Sequence, residues 1–222
     1  MERFEIGGKS VAVYPSDEAD RPIIYLNAFE ELGAEVCNIL RERALNFTLV
    51  TIRVTDWNSD MAPWDIPPIS KSSEPFTGGA DEYLKLLTEK IVPRAESTVK
   101  SISRRGIAGY SLAGLFALYS LYRTDIFSRA ASVSGSLWYP KFKEFVFENE
   151  MKKRPDLLYF SIGDKEDKTR NPYMRPVREN TGEIEKFLRE KGIKTCFELN
   201  RGDHFQNAAE RTANGVARLL SE

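Results

Sequence analysis

The sequence contains a single histidine, His204, and this scarcity limits the chemistry that the chain can perform. Protein zinc sites draw on several histidine or cysteine ligands, so one histidine outside any ligand cluster argues against a zinc centre. The two cysteines, Cys37 and Cys196, stand far apart in apolar surroundings, where free cysteines pack as small hydrophobic side chains. We therefore expect no metal and no cofactor, and any histidine-dependent reaction must use His204.

A surplus of charge and a long apolar run are missing as well. The 222 residues include 32 basic and 33 acidic side chains, and a net charge of -1 gives no electrostatic reason to expect nucleic acid or a membrane as partner. No apolar stretch reaches the roughly 20 residues that span a bilayer. The first residues do not resemble a secretory signal. We expect one domain over residues 1–222, a small-molecule partner and a cytoplasmic location.

The sequence does contain a serine in a strand–turn–helix context. An apolar run ends at Gly109 and a helical apolar run begins at Leu112, with Ser111 between them. Together with Ala113, this matches the G-x-S-x-G nucleophile elbow, with alanine in place of the second glycine. A larger side chain at either flank would collide with the strand or the helix. The pattern alone arises by chance roughly one time in six in a chain of this length, so it needs support from elsewhere in the sequence.

That support comes first from the position of His204. It follows the last strand-like run, residues 194–199, and precedes the last helical run, residues 207–220. Hydrolases built on this elbow have the order serine, acid, histidine, with the histidine after the final strand. We therefore expect His204 to be the general base for Ser111.

Three carboxylates compete for the role of the acid. Residues 157–162 are typical of a buried strand that ends at Gly163, and Asp164, Glu166 and Asp167 follow it. A carboxylate placed there would face the histidine loop and orient the imidazole. We favour Glu166, because a turn led by glycine needs a few residues to bring a side chain back over the sheet. Asp164 and Asp167 remain alternatives.

Strand-like and helical segments alternate along most of the chain. This alternation predicts an α/β fold with a mainly parallel sheet covered on both faces. Such sheets bind ligands at the carboxyl ends of their strands, where the serine, the acid turn and the histidine all fall. Residues 55–79 show little sign of regular structure, and Pro93 is expected to kink or break a helix over residues 81–99.

Aromatic residues are concentrated near the same rim of the predicted sheet. Trp57, Trp64 and Trp138 all lie on segments that leave the carboxyl ends of strands, and Tyr110 precedes the elbow serine. We expect these four residues to bind substrate. For the tryptophans, a role in closing the rim against the core is an equally good interpretation.

Five segments, taken in order, resemble the putative-esterase family of α/β-hydrolases, which includes esterase D, siderophore esterases, feruloyl esterases and mycolyltransferases. They are residues 24–29, 109–114, 134–138, 163–166 and 202–205. The resemblance implies a single-domain α/β-hydrolase fold and a triad of Ser111, Glu166 and His204. Because only residues 139–155 are available between two strands for a cap, we expect a minimal cap or none.

The resemblance also implies an oxyanion hole of two backbone amides. One is the amide of Leu112, and the second comes from the loop after an early strand, at Phe29 or Ala28. The chain departs from the common family pattern at Ala113, where glycine is usual, and at Asn27 and Ala28, where Asp-Gly is frequent.

The function expected from these residues is hydrolysis of a small-molecule carboxylic ester through an acyl-enzyme. Two alternatives remain open from the sequence. The same residues would support an acyltransferase that passes the acyl group to an alcohol or sugar, and the elbow would also persist as scaffold in a non-catalytic binding module.

Overall fold

The computed structural model describes residues 1–29, 31–71 and 73–221, and it alternates strands with helices along most of the chain. The strands are β1 (Glu2–Ile6), β2 (Lys9–Tyr14), β3 (Arg21–Ala28), β4 (Thr48–Arg53), β5 (Asp65–Ile66), β6 (Phe76–Thr77), β7 (Ile102–Tyr110), β8 (Arg129–Val133), β9 (Leu157–Gly163) and β10 (Thr195–Asn200). The α-helices are α1 (Leu32–Glu42), α2 (Trp57–Asp60), α3 (Ala80–Leu86), α4 (Val92–Glu96), α5 (Leu112–Arg123), α6 (Phe142–Glu148), α7 (Val177–Glu190) and α8 (Ala208–Leu220).

Eight strands form one sheet in the order β1-β2-β4-β3-β7-β8-β9-β10. The six strands from β4 to β10 in this order run parallel, and β1 and β2 are antiparallel additions at one edge. The central strands are apolar on both faces, as expected for parallel strands covered on both sides. The predicted α/β architecture with a mainly parallel sheet is confirmed.

Helices cover both faces of this sheet. On one face, α1 and α8 pack together through Val36 and Leu40 of α1 and Val216 and Leu219 of α8. On the other face lie α3 to α7. Each aliphatic side chain of this kind contributes about 1.5–3 kcal/mol when fully buried. Within the described residues, no helix is both long enough and apolar enough to cross a membrane.

Helix α5 runs through the middle of the second layer, and every residue from Leu112 to Tyr122 is buried. A helix that is apolar all round belongs in a core instead of on a surface. Because α5 begins directly after Ser111, the packing of this buried helix fixes the position of the serine.

The structure corrects the expectation for residues 55–79. This segment contains the short helix α2 and a two-stranded hairpin of β5 and β6. These elements are only two to four residues long, too short for a periodic pattern to reveal them.

Two further elements differ from expectation in detail. Strand β1 was missed, although Phe4 and Ile6 alternate with charged residues and Gly7-Gly8 follows as a hairpin turn. The predicted irregularity at Pro93 is a π-helical segment, Leu87–Ile91, which joins α3 to α4. Proline cannot donate its backbone hydrogen bond and crowds the preceding turn, and a wider turn relieves that crowding.

Candidate active site

Ser111 occupies a strained turn between β7 and α5. Its backbone has φ +59° and ψ -122°, a conformation that non-glycine residues rarely adopt and that is found at functional sites. The turn is held by a hydrogen bond from the Ser111 amide to the Val133 carbonyl, 3.0 Å long. A Cβ at position 109 would lie 2.4 Å from backbone and side-chain atoms of Ala113. Gly109 is therefore required, and its missing side chain leaves space for the alanine methyl group.

The structure brings Ser111, His204 and Glu166 into one hydrogen-bonded chain. His204 Nε2 lies 3.1 Å from Ser111 Oγ, and His204 Nδ1 lies 2.8 Å from Glu166 Oε2. The serine comes from the turn after β7, the glutamate from the turn after β9 and the histidine from the loop after β10. All three turns lie at the carboxyl end of the parallel sheet, as expected for an α/β ligand site.

Glu166 is held from the side opposite the histidine. Its Oε1 accepts the amide N–H of Gly163 at 2.6 Å and Nη1 of Arg211 at 3.1 Å. Burial raises the pKa of this carboxyl, but the hydrogen bond and charge of His204, together with the Gly163 amide, outweigh burial and hold the pKa below its ordinary value. Glu166 is thus kept as a carboxylate in a buried position.

The other two carboxylates of the turn have different surroundings. Asp164 Oδ1 accepts the amide N–H of Gly202 at 2.8 Å and so joins the acid turn to the histidine loop. Asp167 Oδ1 is buried and has no hydrogen-bond partner among the described residues. Of the three candidates, Glu166 is the one that contacts His204.

Two backbone amides near the serine have no acceptor within the described part of the chain. One belongs to Leu112, the first residue of α5, and the other to Phe29, the first residue after β3. Ala28, whose amide was the alternative donor, is the last residue of β3. Its carbonyl accepts the amide N–H of Val54 and so joins this residue to the chain after β4. The amides of Leu112 and Phe29 are therefore available to an oxygen of a bound ligand. The Leu112 amide also stands at the positive end of the α5 dipole.

Two cavities meet at Ser111 and His204. The first, of about 420 Å³, is also lined by Phe29, Trp57 and Tyr110. The second, of about 520 Å³, is larger. It is lined by apolar and polar side chains that include Trp57, Leu112, Ser136 and Trp138.

The structure brings three of the four aromatic residues that were expected to bind substrate to the walls of these cavities. Trp57 lines both cavities, and its ring contacts that of Phe29 edge-on at 5.5 Å. Trp138 lines the second cavity. Tyr110 lines the first, but its hydroxyl donates a 2.6 Å hydrogen bond to the His204 carbonyl and so anchors the histidine loop.

Trp64 is not brought to either cavity among the residues that the structure describes. Its indole N–H donates to the carbonyl of Pro140 at 3.1 Å, and its ring packs against Tyr139, Phe142 and Phe145. This ring therefore closes the rim against the core, which was the alternative interpretation for the tryptophans.

The sequence profile of the family described as Putative esterase matches residues 22–205, a segment that includes Ser111, Glu166 and His204. The chain belongs to this esterase family. A relative of this chain, the uncharacterized protein YbbA of Bacillus subtilis (strain 168), is 23% identical in an alignment 201 residues long that covers 85% of this chain and 80% of YbbA.

Solved structures show the same fold as this chain. The siderophore hydrolase EstA from Aspergillus nidulans has a TM-score of 0.78 at 22% identity, over 96% of this chain and 89% of its own. An IroE-like serine hydrolase from Shewanella oneidensis has a TM-score of 0.81 at 19% identity, over 99% of this chain and 79% of its own. The predicted α/β-hydrolase fold is confirmed.

Sequence reasoning missed two side chains of the candidate site. Ser136 lies with its Oγ 3.3 Å from Ser111 Oγ, and its amide donates to the Ser111 carbonyl at 3.0 Å. Arg211 holds Glu166 from helix α8. For Arg211, the signal available in the sequence was a charged residue on the apolar face of an amphipathic helix, four residues before Gly215.

Proposed function

We propose that this esterase is a serine hydrolase that cleaves a small-molecule carboxylic ester through an acyl-enzyme on Ser111. The single observation that carries the proposal is the hydrogen-bonded chain from Ser111 Oγ through His204 to the buried carboxylate of Glu166. Nucleophile, base and orienting acid occur here with the spacing that acyl transfer requires.

The first chemical step is attack by Ser111 on the ester carbonyl carbon. His204 Nε2 accepts the hydroxyl proton as the bond from Oγ to carbon forms, and the carbonyl oxygen becomes an oxyanion. Glu166 holds the proton on His204 Nδ1, fixes the tautomer and stabilises the positive charge that develops on the ring. Because Gly163 and Arg211 already occupy the other oxygen of Glu166, the carboxylate is fixed before substrate arrives.

The amides of Leu112 and Phe29 are the proposed donors to that oxyanion. Both are free of other acceptors within the described residues, and each belongs to a residue that lines one of the two cavities. A donor of this kind contributes about 3 kcal/mol to transition-state stabilisation. The oxyanion then collapses, the alcohol leaves with the proton from His204, and Ser111 carries the acyl group.

Water completes the cycle by the reverse of the same chemistry. His204 accepts a proton from water as the oxygen attacks the acyl carbon, and it returns that proton to Ser111 Oγ when the carboxylic acid leaves.

The test is covalent labelling with a fluorophosphonate, followed by peptide mapping. We expect one label on Ser111, and no label on the Ser111→Ala variant. Hydrolysis of 4-nitrophenyl acetate is expected to fall by at least about 10⁴-fold in that variant.

Ser136→Ala is the matched control, because its hydroxyl lies beside that of Ser111 but does not contact His204. This variant should keep the label on Ser111. Persistent labelling of Ser111→Ala, or a label that maps to Ser136 in the unmodified protein, would contradict the proposal.

A further inference from the structure

The two cavities that meet at the reactive serine differ in the sign of the charge on their walls. The first cavity carries two carboxylates, Glu31 and Glu35, beside the start of α1. The second carries three cations, Lys165, Lys168 and Arg170, in the turn and loop after β9. An ester lying across the serine therefore extends between an acidic and a basic wall.

The three cations of the basic wall are exposed and unpaired. Across residues 1–29, 31–71 and 73–221, the side chains of Lys165, Lys168 and Arg170 form no ion pair and no hydrogen bond. In contrast, the buried ammonium group of Lys9 is paired with Asp60, and the Arg105 guanidinium is paired with Glu96. The basic wall is left with positive charge for a ligand to neutralise.

The two carboxylates of the second cavity do not balance these three cations. Glu166 is buried, and its charge is paired with Arg211. Asp203, in the histidine loop, accepts the amide N–H of Phe205 at 2.9 Å and contributes one negative charge against the three positive ones. Surplus positive charge along a concave wall of low dielectric concentrates the field and raises the local concentration of anions.

We infer that the ester substrate carries an oxyanion group, such as a carboxylate or a phosphate, and that this group binds in the second cavity against Lys165, Lys168 and Arg170. The inference rests on the proposed esterase function. In the first cavity the same group would meet the like charges of Glu31 and Glu35. The two walls together thus set both the class of substrate and the direction in which it lies over the serine.

The kinetic test compares anionic and neutral esters of closely similar carbon skeleton. On the alcohol side, the pair is 4-acetoxybenzoate and its methyl ester, with 4-acetoxyphenyl phosphate as the phosphate probe. On the acyl side, it is 4-nitrophenyl hydrogen glutarate and 4-nitrophenyl pentanoate. The site variant is Lys165→Gln/Lys168→Gln/Arg170→Gln. The control variant changes the same amount of charge at exposed positions outside both cavities: Arg3→Gln/Lys152→Gln/Lys153→Gln.

For at least one pair, we expect the site variant to lower kcat/KM for the anionic ester about tenfold, equivalent to about 1.4 kcal/mol, and to leave the neutral ester unchanged. The control variant should change neither. Added salt should reduce the preference of the unmodified protein for the anionic ester, because the cations are exposed. Equal rates for charged and neutral members in all pairs, with no selective loss in the site variant, would overturn the inference.

A binding measurement separates this inference from the proposed function. In the Ser111→Ala background, calorimetric titration with the anionic and the neutral member of each pair reports charge recognition without turnover. If no ester is hydrolysed, the proposed function fails. Tighter binding of an anionic member that is lost with the three cations would still support the inference, and equal binding of the two members in both pairs would refute it.

Discussion

Replacing Arg211 with methionine tests how the acid of the site is held in place. Arg211 and Glu166 form an ion pair at 3.1 Å in which the two side chains are only 3% and 2% exposed. Arg211 also donates to the carbonyl of Arg201 at 2.9 Å and so ties helix α8 to the histidine loop. Methionine keeps an unbranched apolar side chain at this site but removes every one of these donors.

The expected loss of stability follows from burial of the pair. Removing one partner of a buried ion pair leaves an uncompensated charge and costs about 3–5 kcal/mol. For a chain of this size, each kcal/mol shifts the melting temperature by about 2–4 °C, so Arg211→Met should lower it by roughly 6–20 °C. The kcat of ester hydrolysis should fall as well, because Glu166 loses one of the contacts that orient it.

Thermal and urea unfolding, followed by circular dichroism, measure the first effect. The control is Arg123→Met, which breaks the Arg123–Asp81 pair on the surface, where the side chains are 43% and 45% exposed. Solvent screens a pair of this kind, and its loss should cost at most about 1 kcal/mol.

The reasoning is refuted if Arg211→Met destabilises the protein no more than Arg123→Met does. A second measurement uses the double variant Arg211→Met/Glu166→Gln. Because glutamine removes the unpaired buried charge, the double variant should unfold at a higher temperature than Arg211→Met alone. A double variant that is less stable than Arg211→Met would show that the cost does not come from the charge on Glu166.

Four other substitutions have defined outcomes. The pKa of Glu166 is held below its ordinary value, so its carboxylate stabilises the fold above that value. The urea-unfolding gap between the unmodified protein and Glu166→Gln should therefore be largest near neutral pH and shrink as the pH falls through the folded-state pKa; a pH-independent gap would contradict this. Gly182→Ala should raise the free energy of unfolding by about 0.5–1 kcal/mol, since the site in α7 has open space and helical backbone. Gly109→Ala should abolish esterase activity and lower the melting temperature, because the new Cβ would overlap Ala113; an active variant would show that the turn adapts. Tyr122→Phe should leave stability unchanged or raise it, because the hydroxyl is buried without a hydrogen-bond partner among the described residues, and a loss above about 1 kcal/mol would reveal a missed partner.

The parts of the site that local sequence could predict are those that depend on local geometry. Ser111 was predictable because the elbow needs small neighbours within two residues. Glu166 and His204 were predictable because each follows a strand of the same parallel sheet, and parallel strands end at one rim. The catalytic roles of these residues, like the cytoplasmic location, stay predictions.

The parts that were not predictable depend on contacts between distant segments. Arg211 is one arginine in an amphipathic helix, and only the packing of α8 over the sheet brings it to Glu166, 45 residues away in sequence. The position of Trp64 depends in the same way on α6, which supplies Phe142 and Phe145 around its ring. Periodicity and composition carry no information about such pairings.

The origin of Arg211 in α8 also affects the order of events during synthesis. Arg211 follows Ser111 by about 100 residues, so at about 5–20 residues per second the nascent chain contains Ser111 for roughly 5–20 s before Arg211 is translated. Until then, neither the acid turn nor the histidine loop has the arginine that holds it in place. Under the proposed function, Ser111 should therefore become reactive towards esters only late in translation.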